Sequence, residues 1–108
     1  MYDFKHSNTP PYYAVIFSSV RTTDPKGYAE MNALMNALAV EQEGFLGMEN
    51  AQSDIGITIS YWSDLEAIKR WRDHLEHQNA QREGQNRWYQ HYKVRIAKVE
   101  RAYEFLKK

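Results

Sequence analysis

The stretch from Tyr12 to Thr22 is apolar on both faces that a strand would present. Read with a period of two, Tyr13, Val15 and Phe17 share one side, and Tyr12, Ala14, Ile16 and Val20 the other. A strand of this kind has to be covered twice. One layer of helices can cover only one face of its sheet, so a second layer is required. A second copy of the sheet is the simplest candidate.

The elements that follow fit one plan. Thr23-Asp24-Pro25 is a helix start, with Asp able to cap and Pro at the first helical position. Met31, Leu34, Met35 and Leu38 recur at helical spacing and Gly44 is placed to stop the helix, which predicts a helix over about 26–42. Phe45 to Gln52 reads as a strand, Ser53-Asp54 with Gly56 as a hairpin turn, and Gly56 to Trp62 as a third strand. Ser63-Asp64-Leu65-Glu66 fits a capping box before the apolar stripe Leu65, Ile68, Trp71 and Leu75. Helical composition runs on to about Tyr92, with a break near 75–78 left open, and Tyr92 to Phe105 is the last strand. The order β-α-β-β-α-β predicts an α+β domain of ferredoxin-like type over 12–108. Residues 1–11, polar and ending in Pro10-Pro11, predict a flexible N-terminal arm.

The last strand carries a second constraint. Its apolar residues sit first at even positions (Tyr92, Val94, Ile96) and then at odd ones (Ala97, Val99, Tyr103, Phe105). A phase flip means a bulge or a change in which face is buried. A strand of this length also exceeds the usual five or six residues, roughly. Both features are expected where a strand outruns its own sheet and joins a second subunit. A homodimer is therefore expected.

Composition narrows the chemistry. The 108 residues include no cysteine, which excludes disulfides, thiol nucleophiles and thiolate metal sites. The net charge is zero, but residues 1–54 hold three basic and seven acidic side chains and residues 55–108 hold eleven and seven. In the second half the basic residues are interleaved with Glu66, Asp73, Glu76, Glu83, Glu100 and Glu104, which reads as solvated faces and not as a phosphate-tracking stripe. No nucleic-acid partner is expected. No apolar run approaches the roughly 18 residues of a membrane span, and the start lacks signal-peptide features, so a cytoplasmic protein is expected.

On one helix, His74, His77, Gln81, Gly84 and Trp88 fall at spacings of three and four, continuing the line of Ile68 and Trp71. Such a stripe is either the wall of a polar-lined pocket or, if the helix breaks near Leu75, a wet surface or dimer seam. A neutral imidazole could accept a proton near pH 7. The pair His74-x-x-His77 has no fixed third ligand and lacks the usual zinc spacing, so no metal is expected. Trp71 and Trp88 fit a core as well as a ligand contact. Arg95 shares a strand face with Ala97 and Val99.

The resemblance enters at this point. Asp24-Pro25-Lys26-Gly27-Tyr28 with Met31, then Gly44-Phe45-Leu46-Gly47, then Ile57-Thr58-Ile59-Ser60-Tyr61-Trp62 and the helix bearing Trp71 resemble the antibiotic biosynthesis monooxygenase superfamily. The tail from Trp71 through His74, Glu76-His77, Gln81, Trp88-Tyr89, Tyr92 and Arg95 to Tyr103 is similar to one bacterial branch of it. The resemblance implies a dimeric α+β barrel whose final strand reaches across to the partner. It implies oxygenation of a small aromatic or quinol-like compound with O₂ and no prosthetic group, the deprotonated substrate supplying the electrons. On that analogy Trp71 walls the pocket and His74 or His77 is the catalytic base. Gln81, Trp88, Tyr92 and Arg95 then orient the substrate. Haem-degrading members use an Asn on the first strand and a haem-ligating His on the second helix. Tyr12 to Thr22 contains no Asn, and Gln81 stands at the ligand position, which disfavours haem. The fold also serves non-catalytic small-molecule binding and stress-related proteins, which is the alternative reading.

Overall fold

The computed structural model describes residues 9–22, 27–75 and 89–107 in full, and the helical path of 76–81. The elements are β1 (Tyr12–Arg21), α1 (Tyr28–Val40), β2 (Phe45–Gln52), β3 (Gly56–Trp62), α2 (Leu65–Gln81) and β4 (Tyr89–Val99). All strand pairs are antiparallel, in the order β2-β3-β1-β4. The two strands joined by a hairpin lie at one side, and β1, the two-sided strand, sits between β3 and β4. The ferredoxin-like plan read from the sequence is borne out.

The helix starts differ from expectation for identifiable reasons. Gly27, at φ 79°, precedes α1 in the left-handed region without a side-chain cap. The Asp24-Pro25 start falls on 23–26, outside the described residues. At α2 the cap is Asp64 and not Ser63. The Ala67 amide donates to Asp64 Oδ1 at 2.8 Å, and the Ser63 hydroxyl donates to Oδ2 at 3.1 Å. The hydroxyl thus orients the carboxylate instead of capping the helix itself. Helix α2 runs without interruption through 75–78 as far as Gln81, so no break occurs near Leu75.

The core lies between α2 and the sheet. Trp62, Ala67 and Ile68 are buried, with Tyr13, Val15, Phe45 and Trp71 packed around them. The Trp62 indole N–H donates to Ser60 Oγ at 2.9 Å, so the ring is buried with its polar atom satisfied. Gly44, at φ 91°, closes the gap between α1 and the start of α2. A Cβ there would stand 2.6 Å from Ala67 Cβ, and the Gly44 carbonyl accepts from the Ser63 amide at 2.8 Å.

β4 begins three residues earlier than expected and ends at Val99, not Phe105. Its only register shift lies opposite Val20/Arg21, while His91 to Val99 pair regularly with β1. The apolar phase flip is therefore a change of face, not a bulge. Residues 94 and 96 point to the helix side, and Ala97 and Val99, opposite Ala14 and Tyr12, lie on the other. That second face also carries Ile16, Ile57, Ile59 and Tyr61, and no described helix covers it. Beyond β4 the chain continues with Tyr103 and Phe105 almost fully exposed.

Candidate functional site

The helices and the sheet enclose an open cleft of about 530 Å³, within the range usual for small-molecule sites. Its floor is laid out in cross-strand rows, because antiparallel pairing puts alternate residues of neighbouring strands side by side. Gln52, Gly56, Ser19 and Tyr92 form the row nearest the β2–β3 hairpin. Thr58, Phe17 and Val94 form the next, and Met48, Ser60, Val15 and Ile96 the third. Trp62, beside Tyr13, closes the far end beneath α2. The floor thus grades from polar at the hairpin end to apolar toward Trp62.

Each helix contributes one face. From α1 come Tyr28, Asn32, Met35 and Asn36; from α2 come Ile68, Trp71, Arg72 and Leu75. Both sets follow helical spacing. The same spacing explains where His74 goes. At about 100° per residue, Leu75 returns to within about 20° of Ile68, whereas His74 sits about 120° away. Repeated steps of three drift around the helix. His74 accordingly does not line the cleft; its ring stacks on the outer side of Trp71, centroids 5.7 Å apart at 18°. Its Nε2 is buried and has no hydrogen-bond partner among the described residues.

Aromatic rings frame both ends. Trp71 stacks on Trp62, against whose ring Phe45 packs edge-on at 5.5 Å. At the other end Phe17 stacks on Tyr92 at 5.3 Å and meets Tyr89 edge-on at 5.4 Å. Tyr89 in turn meets Tyr28 edge-on, and the Arg21 guanidinium lies 4.5 Å above the Tyr28 ring. Burial, reinforced by Tyr28, pushes the Tyr89 phenol above its ordinary range. It therefore stays protonated at neutral pH.

Of the residues singled out in the sequence, the structure brings Trp71 and Tyr92 to the cleft. Arg95 is not brought there. It pairs opposite Ile16 on the helix-free face, because odd positions of β4 point away from Val94 and Ile96. Orientation of a ligand in this cleft by Arg95 of the same chain is thereby corrected. The side chains of His77 and Gln81, and the whole of Trp88, lie outside the described residues. Of the α1 wall, Met35 belongs to the apolar stripe Met31, Leu34, Met35 and Leu38 legible in the sequence, whereas Tyr28, Asn32 and Asn36, at successive steps of four, were not singled out there. Among the described residues no carboxylate or imidazole lines the cleft, and no three His, Asp or Glu side chains converge as a metal site. No described helix is long and apolar enough to cross a membrane.

This fold is that of the antibiotic biosynthesis monooxygenase type. SnoaB of Streptomyces nogalater, a cofactor-independent oxygenase, superposes with a TM-score of 0.67 at 15% identity, covering 86% of this chain and 97% of SnoaB. A candidate antibiotic biosynthesis monooxygenase from Nitrosomonas europaea gives 0.69 at 13% identity, over 87% and 95% of the two chains. At the level of sequence, residues 17–100 match the model of the monooxygenase af470-like family, and the chain belongs to that family. The uncharacterized protein YqjZ of Bacillus subtilis (strain 168) is 51% identical over 94 residues, 85% of this chain and 82% of that one. The resemblance drawn from the sequence is borne out.

Proposed function

We propose that this protein is a cytoplasmic, cofactor-independent monooxygenase acting on a small aromatic or quinol-like compound. The observation that carries the reading is the cleft itself: an apolar floor between two aromatic ends, open enough for a flat ligand. Family membership and the likeness to SnoaB support it. The chemistry asks little of the protein. A reacting CH₂ flanked by aromatic or carbonyl groups loses one proton to a base, and the carbanion donates its electrons to O₂. One oxygen atom stays as C=O, and the other leaves with the two hydrogens as water. The protein has to orient the ring, exclude bulk water and accept one proton. Tyr92 supplies a flat surface and Trp71 a ring edge for the first task. For the last the resemblance offers His74 or His77, with Gln81 and Trp88 as ligand contacts. His74 stacks on Trp71 outside the cleft, and position 77 falls about 180° around α2 from Ile68, so the variants His74→Ala and His77→Ala decide whether either takes the proton.

The protein is further proposed to act as a homodimer. The helix-free face, with Ile16, Ile57, Ile59, Tyr61 and Val99, needs a cover, and the exposed tail with Tyr103 and Phe105 needs somewhere to dock. A second copy supplies both.

One observation favours a second reading. The described lining holds no proton acceptor of carboxylate or imidazole type, as suits a non-catalytic small-molecule-binding protein. O₂ uptake across a panel of anthrones and quinols separates the two. Consumption of O₂ that requires the folded protein supports the oxygenase, and its loss in His74→Ala or His77→Ala identifies the base. Saturable binding of the same compounds without any O₂ uptake supports the binding protein.

A further inference from the structure

The polar end of the cleft contains a close contact between a side chain and a glycine. Gln52 and Gly56 face each other across the β2–β3 hairpin, and both line the cleft. A Cβ built on Gly56 would fall 2.6 Å from Gln52 Oε1, 3.1 Å from its Cδ and 3.2 Å from its Nε2. The whole carboxamide therefore lies over the place where any other residue would have a side chain. Gly56 is not in the left-handed region, so its backbone does not require glycine. What the missing Cβ provides is room for the amide. The amide is also held in orientation, because Nε2 donates to the Ser53 carbonyl at 2.9 Å. That bond uses one N–H and leaves Oε1 and the second N–H for another partner.

We infer that Gln52, seated over Gly56, is the specificity-determining residue of the cleft, selecting flat aromatic ligands by a hydroxyl or carbonyl at one edge. The inference rests on the cleft being an aromatic binding site, as proposed above. The floor supports the division of labour. Val15, Phe17, Val94 and Ile96 take a hydrocarbon body without regard to its substituents, while Gln52 stands where that floor turns polar. A hydroxyl donates to Oε1, and a carbonyl accepts from the remaining N–H. A ligand with only carbon at that edge would strip water from the amide without replacing its hydrogen bond.

The test compares 2-naphthol with its near-isostere 2-methylnaphthalene by equilibrium dialysis against the full-length protein. The wild-type chain is expected to prefer 2-naphthol by about three- to tenfold, the size of one net hydrogen bond. Gln52→Ala, a change at the exposed mouth of the cleft, should abolish the preference by weakening 2-naphthol and leaving 2-methylnaphthalene bound as well as before or better. Gly56→Ala should do the same by evicting the amide. The double variant should be no worse than either single one, since both remove one contact. Equal binding of the two compounds by the wild-type chain, or a preference retained in either single variant, overturns the inference and leaves the aromatic cleft standing. Failure of the wild-type chain to bind either compound overturns both.

Discussion

Trp71 lies nearly face to face with Trp62, ring centroids 6.0 Å apart and planes inclined by 27°. The two indoles have different tasks. Trp62 is fully buried and anchors the core, whereas Trp71 is half-buried, held between Trp62 and His74, and presents its edge to the cleft. Trp62→Ala should cost about 4–5 kcal/mol, and Trp71→Ala about 3 kcal/mol, the lower end of the range for large aromatics. Urea denaturation of the two variants checks the order. A Trp71 variant as unstable as the Trp62 one would make Trp71 a core residue without a binding role.

Gly44 combines φ 91° with a Cβ position 2.6 Å from Ala67 Cβ. Gly44→Ala therefore suffers twice: about 1–2 kcal/mol for the left-handed backbone and about 1–3 kcal/mol for overpacking. The same melts should show a loss of roughly 2–5 kcal/mol, the sum of those two ranges. A neutral substitution would mean that the β2 and α2 starts are not packed as described.

The Asp64 cap makes the start of α2 sensitive to acid. The Ala67 amide, with help from the Ser63 hydroxyl, holds the Asp64 carboxyl below its ordinary value of 3.8. The folded state thus releases its proton more readily than the unfolded chain. The resulting stability is present above the unfolded value and is lost as pH falls through the folded one. Melting temperatures of wild type and Asp64→Ala should differ at pH 7, with the gap starting to close as pH falls below 3.8 and vanishing below the folded value. A gap that stays constant down to pH 2 would contradict the cap.

Ile16 sits between Ile59 and Arg95 on the helix-free face. If a second copy covers that face, Ile16→Lys buries a second cation beside Arg95 within the interface. Sedimentation velocity should show a dimer for the wild-type chain at micromolar concentration and a monomer for the variant. Obligate pairs bury on the order of 2,000 Å² or more in total, so a stable wild-type monomer would defeat the dimer.

If turnover is found, prolonged dialysis against a chelator should leave it unchanged, because the proposed oxidation draws its electrons from the substrate carbanion. Activity that disappears on chelation and returns with a divalent cation would replace that mechanism with a metal-dependent one.

Much of this molecule was legible along the chain. Strand periodicity in Tyr12–Arg21 and Gly56–Trp62, the hairpin between Gln52 and Gly56, and the apolar stripe Ile68, Trp71 and Leu75 are local patterns. Local patterns determine element type and order, and these determined the βαββαβ plan. The phase flip in β4 was visible too, with its two physical causes. Choosing between them required the pairing with β1, since only register shows that His91 to Val99 alternate without a bulge.

The site was less legible, because side-chain neighbours across a fold are set by register and helix rotation together. A row such as Gln52, Gly56, Ser19 and Tyr92 draws on four strands separated widely in sequence. The hairpin marks Gln52 and Gly56 as neighbours, but nothing in the chain adds Ser19 and Tyr92 to them. Along α2, a tolerance of one residue per turn let His74 share a stripe with Trp71, yet the true rotation places it behind that ring. Arg95 was lost from the cleft by the same arithmetic with a period of two. The sequence by itself determined the elements, their order and the need for a cover on both faces of β1, because hydrophobic periodicity acts over a few residues. Only the tertiary structure decided which side chains meet in the cleft, because that depends on how helix rotation and strand register combine in space.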